Sequence, residues 1–523
     1  MKTTTLFALA LAVSGLTTTP LAGASAAAGD DIDRLVDQTM ARYDLPGIAV
    51  GVIEDGQVVH VATRGQLAVD GATAVDADSL FKIASNTKAM TAAVLARLVQ
   101  SGKLRWEDPV IKHLPQFAMH DPWVTQNMQV RDLLIHNSGL GLGAGDLMLW
   151  PEPNQFDRAA IIAGLAHLKP VTSFRAGYAY DNLLYVVAGE VAAAAAGKPF
   201  NQLLRQEIFT PLGMDRCQAG DWSPSAVGNV AQPHYRNASG NVVGRRDGDW
   251  EADFPSMAAG GVRCSLNDML RWSQVLLDPS LVPGWLDASQ RRALWTAHMP
   301  MPISQRLRDW DNTHFLAYGY GWRLSDMDGQ WKVAHTGTLS GMYSSLALLP
   351  DRRNAAVILI NGEGEAARTT LMQALLKRWT APAAGLDVNH YADRLDAERG
   401  AQVAAGRVRP DTSAARPVPP AQVAAQGLYR DPWFGQVSLC PAGDTLQWAA
   451  ARSPRMLATV KQLGGRLLLD WHHLGEDADA WLQLDGQGGA ATMQLSAIDP
   501  DIDFSYDYPD LRFERVADCP SVR

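Results

Sequence analysis

The chain has 523 residues, with 46 lysines and arginines against 55 aspartates and glutamates, a formal net charge of -9 and a pI near 5.7. With 47% hydrophobic and 19% charged residues, it has the composition of a globular protein of several domains and not of a disordered chain. An acidic chain without basic runs lacks the footprint of a nucleic-acid binder, and four cysteines are too few for disulfides to stand in for a core.

Residues 1–26 read as a cleavable export signal. Lys2 supplies the positive end, Leu6 to Leu16 the apolar run, and Ala24-Ser25-Ala26 the small-residue cleavage site. This predicts a periplasmic or secreted protein. No later segment offers about 20 uncharged apolar residues, so no stable membrane insertion is expected. Leu183 to Gly197 comes nearest but carries Glu190 and reads as a buried helix. In an oxidising compartment four cysteines allow three pairings. Cys440 and Cys519 lie near the two ends of the C-terminal segment, which favours Cys440–Cys519 and Cys217–Cys264; buried free cysteines are the alternative.

Ile32, Leu35, Val36 and Met40 line one face of a predicted helix over Asp31 to Tyr43. Ile48 to Ile53 and Val58 to Ala62 flank Asp55-Gly56, the signature of an antiparallel hairpin. Helical patterns dominate from about 85 to 215. Strand-like runs return at Trp331 to Ala334, Tyr343 to Leu349 and Ala355 to Ile360, followed by a helix over Thr369 to Trp379. The pattern predicts an α+β (α/β sandwich) domain over 27–382, whose sheet joins the two ends of that stretch. Residues 383–424, rich in Ala, Pro, Arg and Asp, read as a linker with room for one helix near Ala392 to Ala405. Short alternating runs over 425–523, among them Gln436 to Leu439, Met456 to Val460, Leu467 to Trp471 and Trp481 to Leu484, predict a small antiparallel sheet or barrel.

The motifs of several hydrolase and nucleotide-binding classes are missing. There is no Gly-x-Ser-x-Gly and no His-Glu-x-x-His, and Gly139, Gly141, Gly143 and Gly145 fit no phosphate-binding loop. Ser-x-x-Lys occurs twice, which is about the one or two hits that chance supplies. Ser79 and Lys82 fall in an extended stretch, where positions i and i+3 face opposite ways. Ser85 instead precedes the helical stripe Met90, Val94, Leu95, Leu98 and Val99, so Lys88 can reach the Ser85 hydroxyl from one turn on. The helix N-terminus adds positive potential for a developing oxyanion. The alternative makes Ser85 an N-cap and Lys88 a surface lysine. Tyr180-Asp181-Asn182 lies just before the apolar stretch from Leu183, whereas Tyr235-Arg236-Asn237 leads into no helix. His335-Thr336-Gly337 ends a strand, with Gly337 expected to leave room for substrate alongside it.

These motifs resemble the serine β-lactamase and penicillin-binding-protein superfamily, in its class C β-lactamase-related branch. The likeness covers roughly residues 30–380. It is carried by Phe81-Lys82-Ile83-Ala84-Ser85-Asn86-Thr87-Lys88, Phe174 to Asn182 and His335-Thr336-Gly337-Thr338, with Leu133 to Leu140 and Pro211 to Met214 in support. It implies an antiparallel sheet flanked by helices, and an appended small β domain. It implies acyl transfer through Ser85, with Lys88 and Tyr180 as the acid/base pair and Asn182 hydrogen-bonded to Lys88 and to substrate. His335, Thr336, Gly337 and Thr338 would bind substrate, and the Ser85 and Thr338 N–H groups would form the oxyanion hole. The resemblance calls for no cofactor and no metal, and for a small-molecule or peptide substrate such as a D-amino-acid peptide or small ester.

Two departures stand out. His335 replaces the lysine that many relatives carry, which disfavours efficient β-lactam hydrolysis. Asp181 stands where Ser or Ala is commoner, and its side chain is expected to point away from Ser85. Trp222, Trp250, Trp310 and Trp322 offer a candidate aromatic cleft, with core packing as the alternative. His136 reads as structural, and Arg175 as a carboxylate contact or a surface residue. A class C β-lactamase and a non-hydrolytic receptor or scaffold stay open as alternatives, and the oligomeric state is not legible.

Overall fold

The computed structural model describes residues 22–520 apart from 249, 340 and 487–489. Most of the expected export signal therefore lies outside the described residues. The first helix, α1 (Ala22–Tyr43), feeds the hairpin β1 (Gly47–Glu54) and β2 (Gln57–Gly65). Asp55 and Gly56 both take positive φ, 50° and 79°, as a two-residue hairpin turn demands.

Six further strands complete an eight-stranded antiparallel sheet: β3 (Met299–Pro300), β4 (Leu316–Tyr318), β5 (Arg323–Met327), β6 (Gln330–Leu339), β7 (Met342–Leu349) and β8 (Asn354–Ile360). Their order is β2-β1-β8-β7-β6-β5-β4-β3, so the first hairpin closes on the last strand with Ile48 opposite Ile360. Period-2 alternation divides the faces. Ile48, Val50, Val52, Ala356, Ile358 and Ile360 pack beneath α1 and α5 (Glu365–Thr380), while Ala49, Val357 and Leu359 join the larger core on the other side. There α4 (Leu266–Leu277) lies so close that a Cβ on Gly51 would sit 2.8 Å from Leu270.

The helical insert carries α2 (Thr87–Gln100) and α3 (Leu183–Ala196). Nine residues of α3 are buried, which explains its near-continuous apolar sequence. Among the described residues no single helix is long and apolar enough to cross a membrane. Both disulfides form as paired in the sequence reading, Cys217–Cys264 and Cys440–Cys519.

The segment after α5 is more ordered than its composition suggests. Helix α6 (Val388–Ala404) buries Val388, Tyr391 and Ala392, with the Tyr391 ring 4.9 Å from that of Trp310. Beyond it, β9 (Gly427–Asp431), β10 (Gly435–Ala442), β11 (Thr445–Ala450), β12 (Leu457–Leu463), β13 (Arg466–Trp471), β14 (Ala480–Asp485), β15 (Thr492–Ala497) and β16 (Phe513–Ala517) form a meander, and β9 pairs with β16 to close it into a barrel. Trp448, Phe434, Tyr429 and Phe513 fill its interior. The barrel rests on the helical insert through Phe434 against Phe156, 5.8 Å between ring centroids, and through Arg452 over the Phe156 ring at 4.1 Å.

Candidate active site

The site lies where α2, α3 and β6 converge. Ser85 is on a short 3-10 turn, Ala84–Asn86, that leads into α2 at Thr87. It thus precedes the α-helix proper and does not cap it; Asn86 takes the cap position. Ala84 holds φ at 48°, a conformation unusual outside glycine and typical of functional turns. The turn is pressed against β6: a Cβ on Gly337 would fall 2.2 Å from the Ile83 carbonyl oxygen and 3.0 Å from the Ala84 Cβ. The glycine therefore serves the packing of the serine turn against the strand, a different reason from the room for substrate expected of it.

Lys88 is fully buried. Its Nζ donates to Ser85 Oγ at 3.1 Å, Asn182 Oδ1 at 2.7 Å and the Ala259 carbonyl at 2.8 Å. All three ammonium donors thus have acceptors. The Ala259 carbonyl is delivered by the turn Met257–Gly260, which lies on α3 because Gly189 brings no side chain there; a Cβ would stand 2.7 Å from that of Ala258. Burial pulls the Lys88 amine down to about 7, against the Asp146 carboxylate that favours its charge; Arg323 pushes the same way as burial.

Tyr180 packs its ring under the lysine, with Nζ 4.8 Å from the centroid. Burial pushes its phenol up, with Arg323 and hydrogen bonding to Ser85 opposing, so Tyr180 keeps its proton at neutral pH. His136 holds this loop from below. Its Nδ1 accepts the Asp181 backbone N–H at 3.0 Å and its ring lies 4.3 Å from that of Tyr180, so it is neutral and structural. Arg175 makes a two-pronged contact with Asp132, Nε to Oδ1 at 2.9 Å and Nη2 to Oδ2 at 2.6 Å, tying the two sides of the loop together. Asp181 points away from Ser85: its Oδ1 accepts the Leu184 N–H at 3.3 Å and its Oδ2 accepts from Ser138 at 3.5 Å.

His335 is equally occupied. Nε2 lies 2.8 Å from the Tyr318 hydroxyl and Nδ1 2.7 Å from the Thr336 carbonyl; burial holds the imidazole neutral, and Arg323 and Lys88 reinforce that. Thr336 receives Arg323 Nη1 on its Oγ1 at 3.3 Å, and Thr338 receives Arg368 Nη1 at 2.8 Å. Sequence reasoning missed Arg323. It begins β5 opposite Ala334, beside the motif in space, and has no carboxylate partner among the described residues.

The decoys fall elsewhere. Ser79 is bonded to Asp76 and Asn229 in a buried turn, and Tyr235-Arg236-Asn237 form the edge of a two-stranded ribbon. The tryptophans do not gather in a cleft. Trp310 and Trp322 are buried among Tyr391 and Trp295, Trp222 packs with Leu80 and Val230, and Trp250 is exposed.

The chain belongs to the Beta-lactamase family, whose family model matches residues 32–378, and is a serine hydrolase; half-buried Ser85, buried Lys88, Tyr180 and Asn182, and the strand bearing His335 form its candidate active site. Among its relatives, an unguisins hydrolase of Aspergillus campestris is 27% identical over 437 residues, 79% of this chain and 78% of that one. Penicillin-binding protein 4 of Amycolatopsis lactamdurans is 28% identical, covering 62% and 83%. The D-alanyl-D-alanine-carboxypeptidase/endopeptidase AmpH of Escherichia coli K12 is 25% identical, covering 69% and 91%. The fold is similar to that of the octameric penicillin-binding protein homologue from Pyrococcus abyssi, with a TM-score of 0.58 and 18% identity over 92% of this chain and 99% of that one.

Proposed function

We propose that the protein is an exported hydrolase of peptides that end in a free carboxylate, D-amino-acid peptides foremost, working through an acyl-enzyme on Ser85. The observation that carries the substrate class is Arg323, a guanidinium beside Thr336 without a counter-ion among the described residues. An unpaired cation in a recess is costly unless the ligand brings the missing charge. With His335 neutral, Arg323 takes over the attraction that a lysine in the third motif would exert. The carboxypeptidase name of the AmpH relative supports this reading.

In the proposed reaction Ser85 Oγ attacks the scissile carbonyl and passes its proton to the neutral Lys88 amine. The oxyanion is received by the Ser85 and Thr338 N–H groups. Asn182, fixed beside Lys88, also holds the substrate amide. As the C–N bond breaks, the Tyr180 phenol protonates the leaving amine and regains a proton from Lys88. Water then attacks the ester, releasing the acid and restoring Ser85. The base must be neutral, so acylation rises with pH through about 7, the value to which burial brings Lys88.

Arg323→Gln should raise KM for a peptide ending in D-Ala-D-Ala by about 10- to 100-fold, the worth of a charge-assisted hydrogen bond, while hydrolysis of a p-nitrophenyl ester stays within about threefold. Equal cleavage of the peptide and its C-terminal amide by the wild type would sink the carboxylate assignment. Export is part of the same proposal. The mature protein recovered from the periplasm or medium should begin after Ala26, which N-terminal sequencing checks; a full-length cytoplasmic protein would contradict it.

A further inference from the structure

Behind Asn182 stands a carboxylate that no motif announced. Asp146 is fully buried, and its Oδ2 accepts from Asn182 Nδ2 at 2.8 Å and from Ser505 Oγ at 2.9 Å. Ser505 belongs to the barrel, in the loop between β15 and β16. The same loop sends Asp507 Oδ2 to the Gly145 N–H at 2.6 Å and sets the Phe504 ring edge-on to Tyr180, 5.8 Å between centroids. At Gly143 the fit is close enough that a Cβ would lie 2.5 Å from the Phe504 carbonyl oxygen, and φ there is 71°.

These contacts fix the sense of an amide. Asn182 has one oxygen end and one nitrogen end. The Lys88 ammonium only donates and needs the oxygen; Asp146 Oδ2 already accepts from Ser505 and needs the nitrogen. Although burial pushes the Asp146 carboxyl well above the usual range, a proton on the partnerless Oδ1 leaves Oδ2 the acceptor. A turned amide would set donor against donor at Lys88 and acceptor against acceptor at Asp146. Ser505 in turn stops the carboxylate from rotating and presenting Oδ1, which has no partner.

We propose that Asp146 and Ser505 are positioning residues for the catalytic lysine, and that the barrel loop completes the active site by locking Asn182 with its oxygen toward Lys88. The proposal rests on the acyl-transfer reading of Lys88 and Asn182. Its physical content is the path Ser505 to Asp146 to Asn182 to Lys88, four side chains from two parts of the chain joined by three hydrogen bonds. Of the other groups that face Lys88, Asp181 and Arg323 act on its charge, the Tyr180 and Tyr185 rings lie against it, and His136 and His335 feel its charge. None of these is touched by a substitution at Ser505.

The test uses the full chain with two readouts, the acylation rate by a p-nitrophenyl ester across pH and the titration of Lys88 followed by NMR in 13C-lysine-labelled protein, its signal assigned by Lys88→Arg. Ser505→Ala should lower the acylation rate constant about 3- to 15-fold, the worth of one hydrogen bond, with half-saturation by ester unchanged. The Lys88 midpoint should fall by about one pH unit, because the ammonium loses a well-placed acceptor. Ser505→Thr should restore both. Asp146→Asn, whose own amide accommodates either sense of Asn182, should lose more than Ser505→Ala. A Ser505→Ala protein of unchanged Tm, acylation rate and Lys88 midpoint would overturn the proposal. So would a rate loss that Ser505→Thr fails to restore while the Lys88 midpoint stays fixed, since that is the mark of a merely structural contact. If the wild type takes no acyl group, the functional reading fails, and the Lys88 midpoint still decides the relay.

Discussion

Ser85→Ala should take up no acyl mass from a β-lactam or a p-nitrophenyl ester under conditions in which the wild type gains one equivalent. Lys88 donates its hydrogen bond to Ser85 Oγ and has two other acceptors, Asn182 Oδ1 and the Ala259 carbonyl. Removing one hydroxyl therefore leaves the lysine mostly satisfied and the fold intact. The loss in turnover is then a loss of chemistry, about 10^3-fold or more, with a residue set by binding and by the N–H groups that receive the oxyanion. Intact mass reads the adduct directly, and its lifetime ranks the chemistry. A stable adduct from the β-lactam with rapid turnover of the ester is the expected pattern, because the third motif offers a neutral His335 bonded at both nitrogens. An adduct of equal yield on Ser85→Ala would refute the nucleophile.

The second large effect is expected at Tyr180. Tyr180→Phe removes one oxygen and keeps the ring on which the Lys88 amine rests at 4.8 Å, along with the contacts to His136 and Phe504. Stability should change little. Amide turnover should fall by about 10^2- to 10^4-fold, the usual share of a positioned acid. A p-nitrophenyl ester, whose leaving group needs no proton, should lose far less. The rise of the residual rate with pH near 7 should survive, since that limb belongs to Lys88. Comparing an amide and an ester on Tyr180→Phe separates the two roles. Equal losses on both would move Tyr180 from acid to base.

How much of this was legible depended on how local each cause was. The Asp55-Gly56 turn, the unbroken apolar run from Ala355 to Ile360 and the spacing of Ser85 and Lys88 are short-range codes, and each sits where its residues predict. Strands β4 and β5 were missed: Leu316–Tyr318 has three residues, Arg323–Met327 has five, and neither carries a period long enough to read. Thr445–Ala450 does alternate and was within reach; its burial runs half-buried and buried by turns. Arg323 could not be assigned, because its place beside Thr336 follows from the register of β5 on β6. Asp146 and Ser505 are 359 positions apart, and nothing in a loop sequence states what it will touch. The helix inside the presumed linker was foreseen near Ala392 to Ala405, but not the buried Tyr391 that packs it down.

The pairing of Ile48 with Ile360, by which the first hairpin joins the rest of the sheet, also sets an order of events. The first hairpin has no central neighbour until some 300 further residues have been made, so its apolar face waits for β8, and non-local closure of that kind is slow. The barrel, built from successive hairpins, needs only one distant pairing, β9 with β16, and can fold on its own clock. The loop bearing Ser505 is made 359 residues after Asp146. An emerging chain therefore carries Ser85 and Lys88 long before Ser505 can meet Asp146, and if Ser505 locks the amide as proposed, the full acylation rate waits for the barrel loop.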